Sequence, residues 1–216
     1  MPESRKQQIV ETVLDLVEER GTEAVSAQSV ADAIGVTQPA VFRHFPTKEA
    51  LWLAVMNWLE MRLAAMYASA SHERSEPALA ILGGLFLGHI RLIEARPALA
   101  KLVLSDHLRL AHPNLQTRFA AIHQAYTARL EGLIEQAKRE GAIRDSVATD
   151  DACASFLALI QGLGFQFAIA RVPTPLMKRA EFALVGYFSG LMAPGELEEQ
   201  AQGMVVRAHA VLDSHG

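Results

Sequence analysis

A single cysteine, Cys153, leaves the chain without any internal disulfide, and no Cys-x-x-Cys or Cys/His spacing suggests a zinc site. This predicts a reducing compartment. The polar N-terminus, Met1-Pro2-Glu3-Ser4-Arg5-Lys6-Gln7-Gln8, has no apolar stretch of the kind a signal peptide needs, so the expected location is the cytoplasm. Catalytic signatures are missing as well: there is no Ser/His/Asp pattern, nucleophile elbow, phosphate-binding glycine loop or His-Glu-x-x-His. The acid pairs Glu18-Glu19, Asp150-Asp151 and Glu198-Glu199 are adjacent in sequence, so each diverges around its helix rather than forming an acid/base couple. An all-α enzyme is therefore the weaker reading, and neither cofactor nor metal is predicted. Charged residues are scarce too, 20% of the chain against 50% hydrophobic, which excludes a disordered polyelectrolyte and leaves a packed globular protein.

At 216 residues the chain can bury a real core in one or two domains. Its net charge of −4 weighs at first sight against a nucleic-acid partner, because affinity for DNA rests largely on Lys and Arg neutralising phosphates. That objection needs a local test. One long uncharged run, Ala152 to Ala170, approaches the roughly 20 residues that span a bilayer. It holds Ser155, Gln161, Gln166, Gly162 and Gly164 without an aromatic belt or basic flank, so the expectation is a soluble helix covered on nearly all sides, and no membrane partner.

The periodicity is helical throughout. Ser4 and Gln7 have capping-box spacing, and Ile9, Val10, Val13, Leu14, Leu16 and Val17 continue an apolar stripe that Gly21 ends. A short second helix starts at Ser26, turns Val30, Ala31 and Ile34 inward and stops at Gly35. Thr37 can cap a third, Gln38 to His44, with Pro39 tolerated in its first turn. Pro46 stops it, Thr47 caps the next, and a long helix follows from Lys48 to about Tyr67. Further helices are predicted over Pro77 to Ala95, Pro97 to Leu110, Pro113 to Glu140, Thr149 to Arg171, Thr174 to Met192 and Glu196 to Leu212. No hairpin signal or fixed repeat appears, so the fold class is all-α.

The stretch from Val25 to Leu51, VSAQSVADAIGVTQPAVFRHFPTKEAL, carries the most chemistry. Two short helices joined by the tight turn Gly35-Val36-Thr37 have the layout of a helix-turn-helix, whose second helix can enter a DNA major groove. Val30, Ile34, Val36, Val41 and Phe45 supply a small core against the first helix, which leaves Gln38, Pro39, Ala40, Phe42, Arg43 and His44 at or near the surface. Outward Gln and Arg suit adenine and guanine edges, and small Pro39 and Ala40 permit close approach and contact with a thymine methyl. Locally the charge objection weakens: from Ser26 to Lys48 the bases Arg43 and Lys48 face one acid, Asp32, a balance of +1. Helix N-termini near Ser26, Thr37 and Lys48 add backbone donors for phosphates.

GVTQPAVFRHFPTKEAL resembles the tetracycline-repressor (TetR) family of bacterial transcriptional regulators, whose pattern runs Gly-Val-Ser/Thr, two variable residues, a small residue, an apolar one, an aromatic, a variable residue, His-Phe, then Lys-Glu-Ala-Leu. The resemblance covers roughly residues 5 to 55 and implies a homodimer. Each subunit would have a helix-turn-helix DNA-binding domain over 1–47 and a larger α-helical body over 48–216 for ligand binding and dimerisation. Carried over by position, Gln28, Gln38, Pro39 and Ala40 would lie at base edges, while Ser26, Thr37, His44 and Lys48 would hold phosphates. Phe42 departs from the family's usual Tyr: the ring contact stays but a phosphate donor is lost.

For the body the reading is coarser. Trp58, Met61, Phe86, Phe119, Tyr126 and Phe156 stand at helical spacing, and with His89, His107, His123 and Gln161 they form a candidate ligand lining, although such residues are more often plain core. With no charge from Pro77 to Ile90, the body suits a small apolar ligand bearing one or two polar groups. The resemblance places the dimer interface on the last two long helices, with Phe156, Ile160, Phe167, Phe182, Gly186 and Gly190 as candidates; packing within one subunit is the bland reading of the glycines. The expected function is a ligand-responsive repressor on a pseudo-palindromic operator. The alternative is a DNA-binding dimer without an inducer.

Overall fold

The computed structural model describes residues 4–70, 76–103, 105–170, 175–192 and 197–213, and all their side chains except those of 106, 109, 197–201 and 211–213. Among the described residues the chain forms eleven α-helices, one 3-10 turn and no strand. The helices are α1 (Arg5–Arg20), α2 (Ala27–Ile34), α3 (Gln38–His44), α4 (Lys48–Ala70), α5 (Ala78–Ala95), α6 (Ala98–Val103), α7 (Asp106–Ala111), α8 (Pro113–Arg139), α9 (Thr149–Ile169), α10 (Leu176–Leu191) and α11 (Leu197–Asp213), with the 3-10 turn at Thr22–Ala24. The fold is all-α, and the expected boundaries at Arg171, Thr174 and Glu196 fall outside the described residues.

Two local expectations change. Ser4 accepts from the Gln7 amide at 3.3 Å, but the Gln7 side chain reaches forward to Glu11 instead of back to the cap, so only half of the capping box exists. The single helix expected over Pro97 to Leu110 is two helices. The amide of Ser105 closes α6 on the Leu102 carbonyl, while its hydroxyl accepts from the Leu108 amide and so caps α7.

The chain packs as two compact units, one of Met1–Arg62 with Arg96–His123, the other of Leu63–Ala95 with Gln124–Gly216. In the first, α1 buries Ile9, Val10, Val13, Leu14 and Val17, and Trp52 and Val55 of α4 are fully covered. Arg96 pairs with Asp15 at 2.5 Å, and the Lys101 ammonium donates to the Glu18 carbonyl at 2.8 Å. Glu49 in the first turn of α4 accepts from Asn114 of α8 at 3.1 and 3.3 Å, and Arg118 donates to Asn57 at 3.0 Å and pairs with Glu60. The packing division does not fall at residue 47: residues 48–62 and 96–123 pack with the first unit.

In the second unit α5 is buried nearly all round, from Ala78 to Gly88 without a break. A Cβ on Gly83 would lie 2.6 Å from Cβ of Ala208, so α5 and α11 approach through that glycine. Arg144 donates to the carbonyls of Gly190 and Leu191 at 2.5 and 3.3 Å and closes the C-terminus of α10. By length and composition alone α5 and α9 are apolar enough to cross a bilayer, but the relevant window of α5 is 72% buried in the protein and that of α9 only 33%. The expectation that the 152–170 helix would be covered on nearly all sides does not hold within one chain.

Candidate nucleic-acid interface

Local capping builds the helix-turn-helix. Ser26 and Ser29 satisfy each other's amides at 2.9 and 3.0 Å, a capping box with serine at the third helical position in place of the usual Glu or Gln. Ser29 also donates to the Ala24 carbonyl at 2.9 Å, which fastens α2 to the preceding turn. Gly35 stands at φ 67° and ψ 38°, a left-handed geometry that a β-carbon disfavours, and the Val36 amide then bonds back to Ala31 at 3.0 Å. Thr37 occupies the N-cap of α3 but makes no side-chain capping bond, so its hydroxyl is not committed to the helix. Thr47 does cap α4, accepting from the Ala50 amide at 3.0 Å.

These turns sort the side chains as alternate faces require. Val25, Val30, Ala31, Val41 and Phe45 are buried. Ser26, Gln28, Thr37, Gln38, Pro39, Phe42, Arg43 and Lys48 are exposed, and Ala40 and His44 are partly covered. Phe42 is 42% exposed and presents its ring at the surface of α3. Gln28 donates to Asp32 at 2.6 Å, so its carboxamide is engaged along α2. An apolar cleft of about 250 Å³ lies below, bounded by Ser26 and Ala27 of α2, Gln38, Val41 and Phe42 of α3, and Thr47, Lys48 and Leu51 around the start of α4. Its rim collects hydroxyl, carboxamide and ammonium groups around an aromatic ring, a surface suited to a sugar-phosphate chain.

The residues proposed for a ligand do not form one set. In the second unit Phe86 and Phe156 meet edge-on at 5.4 Å, Phe156 and Tyr187 at 5.9 Å, and His89 shares a 3.0 Å hydrogen bond with the Tyr126 hydroxyl. Burial lowers the His89 pKa to about 4, outweighing a backbone hydrogen bond to Leu85, and pushes the Tyr126 hydroxyl upward, so this pair stays neutral. Burial also pushes the Cys153 thiol up to about 11, with the Glu131 carboxylate adding to the effect. Trp58, Phe119, His107 and His123 belong to the first unit. Trp58 is buried there with the Arg62 guanidinium 5.0 Å from its ring centre.

Several expectations need correction. Met61 is 63% exposed because Asn57, Met61 and Ala65 form the outward stripe of α4 at every fourth residue. His107, His123 and Gln161 are also exposed, and His123 lies one step round α8 from buried Ile122. Met61, His123 and Gln161 face solvent, whereas His107 borders a half-open cleft beside α7 and the start of α4. Among the described residues no group of three or more His, Cys, Asp or Glu could hold a metal ion.

The interface candidates divide similarly. Phe156 and Ile160 are buried within the subunit, on the narrow inner stripe that α9 makes with Ala152, Cys153 and Gly164, so they are not available to a second chain. The outer face of α9 carries Phe165 and Ile169 instead, 47% and 61% exposed, with Phe167 partly covered. On α10, Phe182, Gly186 and Gly190 recur every fourth residue on one exposed face, and Phe182 is 83% exposed. A β-carbon on either glycine would meet nothing within 4 Å, which removes packing inside the subunit as their explanation.

Comparison with known proteins agrees with the head's geometry. Residues 9–55 match the family described as "Bacterial regulatory proteins, tetR family". The chain is 24% identical over 139 residues to the nucleoid occlusion factor SlmA of Haemophilus ducreyi, spanning 63% of this chain and 68% of that one. A TetR-family transcriptional regulator from a Rhodococcus species superposes with a TM-score of 0.74 at 22% identity, covering 88% of this chain and all of that one. The regulator FadR of Bacillus subtilis, solved in complex with stearoyl-CoA, gives 0.73 at 18% identity, covering 85% and 98%.

Proposed function

The chain belongs, through residues 9–55, to the tetR family of bacterial regulatory proteins, a family of DNA-binding transcriptional regulators, and from that premise we propose that it is a ligand-responsive repressor acting as a homodimer in the cytoplasm. The observation that carries the DNA reading is the exposed start of α3, Gln38-Pro39, whose Gln38 borders one cleft with Ser26 and Lys48 beside two capped turns. In this reading α3 lies in the major groove with Gln38 on an adenine edge, and Ser26, Thr37, His44 and Lys48 hold phosphates on either side. Gln28 reaches the DNA by giving up its bond to Asp32. Phe42 lays its ring on the backbone without a phosphate bond of its own.

The homodimer rests on the uncovered faces of α9 and α10. Phe165, Ile169 and Phe182 leave a large apolar surface that water does not favour, and Gly186 and Gly190 allow another helix to come close. A four-helix bundle between two copies covers both helices. In such a dimer the two recognition helices would read successive half-sites of a pseudo-palindromic operator.

For the ligand, three polar groups buried in the body are neutral: His89 and Tyr126, which share a hydrogen bond, and the Tyr187 hydroxyl, which donates to the Ala152 carbonyl at 2.9 Å. That favours an apolar molecule bearing one or two uncharged polar groups, a class to which the acyl chain of the ligand in the FadR complex also belongs in its apolar part. Coupling requires only that the ligand bind more tightly to one spacing of the two heads, typically by 1–3 kcal/mol. The second reading, a DNA-binding dimer that needs no inducer, is favoured by the nucleoid occlusion factors among its relatives. Genomic selection of bound DNA tests the proposal. Recovery of a palindromic site beside a small set of genes supports it, and recovery of sites dispersed through the chromosome without a common neighbouring gene favours the second reading.

A further inference from the structure

Lys48 lines two cavities, not one. Besides the apolar cleft on the α3 side, it borders a second space of about 250 Å³ whose other walls are Thr22 and Glu23 of the 3-10 turn, His107, Leu108 and Ala111 of α7, and His112, which precedes α8. All seven residues belong to the first compact unit, so this cavity is separate from the body cluster around His89. It is smaller than the roughly 300–1,000 Å³ of sites for drug-sized ligands, a size that suits a small molecule. Among its described lining residues Lys48, His107 and His112 stand against one carboxylate, that of Glu23. The adjacent frame is firm, since Asn114 at the start of α8 donates twice to Glu49, the residue after Lys48.

We propose that this cavity is a regulatory site for a small oxyanion, a carboxylate or phosphate compound, which binds the Lys48 ammonium together with His107 and His112 and thereby withdraws Lys48 from operator DNA. The effect on DNA rests on the reading of Lys48 as a phosphate contact, whereas binding of the anion does not. An occupant holds the ammonium on the α7 side of α4, and the same ammonium cannot also neutralise a DNA phosphate on the α3 side. The coupling is bounded: an anion can weaken DNA binding by no more than the loss of Lys48 does.

The test uses the full chain with citrate, inorganic phosphate and chloride at matched ionic strength. Calorimetry without DNA should show citrate or phosphate binding, and which of the two binds assigns the carboxylate or the phosphate source. His107→Ala should weaken that binding about tenfold or more, while Glu23→Gln, which removes the carboxylate of the described lining, should tighten it. In DNA titrations the binding anion should raise the operator Kd by about fivefold, no more than Lys48→Ala does, and should have no further effect on Lys48→Ala. If neither anion binds above chloride, or if His107→Ala and Glu23→Gln leave binding unchanged, the site is refuted and the DNA reading stands. If the anion binds as described but Lys48→Ala holds operator DNA at wild-type affinity, the Lys48 phosphate contact and the proposed coupling are both refuted.

Discussion

Replacing His89 by Asn should remove a defined part of the protein's acid sensitivity. In the folded chain burial holds the His89 pKa at about 4, against 6.5 for a solvated imidazole. Between those two values the unfolded chain binds a proton that the folded chain refuses, so stability is lost as the pH falls from about 6.5 and levels off below about 4. Each unit of displacement is worth about 1.4 kcal/mol, so His89 alone should cost about 2 kcal/mol between pH 7.5 and pH 5, and about 3 kcal/mol at its limit. Asn keeps a hydrogen-bonding group near the position of Nδ1, where Tyr126 bonds, yet cannot take up a proton. The assay is urea unfolding at fixed protein concentration across that range for both chains, because a dimer's stability depends on concentration. The variant should be less stable at pH 7.5 and should lose about 2 kcal/mol less on acidification. Parallel pH profiles would show that His89 titrates in the folded state as it does in water, and the neutral character assigned to the body cluster would be wrong.

Other perturbations separate the roles given to individual residues. Gly83→Ala places a carbon 2.6 Å from Ala208 and should destabilise the chain by about 1–3 kcal/mol through forced separation of α5 and α11, measured by thermal unfolding. Gly186→Leu meets open space within the subunit, so it should leave helicity unchanged by circular dichroism while shifting sedimentation toward monomer; an unchanged dimer would exclude this face. Gln38→Ala should alter which sequences are selected, whereas Lys48→Ala should weaken all sequences and lower the slope of log affinity on log salt by about one. Phe42→Tyr should strengthen operator binding by about 0.5–1.5 kcal/mol in a DNA titration, since it supplies one phosphate donor.

The head was legible because its determinants are local. Ser26 and Thr47 mark helix starts by capping bonds and Gly35 a helix end by left-handed geometry, all within a few residues, and the apolar positions between them are few enough to assign a face. Where a local signal was ambiguous the outcome differed. The break at Ser105 depends on a serine that also suits a helix interior, and the half-formed box at Ser4 depends on Gln7 preferring Glu11.

Faces were harder than ends. Met61 and Trp58 look alike in a list of apolar residues, but only packing against neighbours decides which of them α4 turns inward. Phe156 and Phe165 both lie on the uncharged run that resembled a membrane span, and only the partners of α9 separate the buried stripe of the first from the open face of the second.

By itself the sequence determined an all-α chain with an N-terminal helix-turn-helix and an excess of one basic residue between Ser26 and Lys48, because those properties follow from periodicity, capping and residue type within short windows. Tertiary structure alone decided that residues 96–123 pack with the head, that Gly83 is a point of contact while Gly186 is open, that His89 is held neutral, and that Lys48 stands between two cavities. Each of these depends on residues far apart in the chain meeting in space, and burial, desolvation and shape are set by those neighbours rather than by the residue itself.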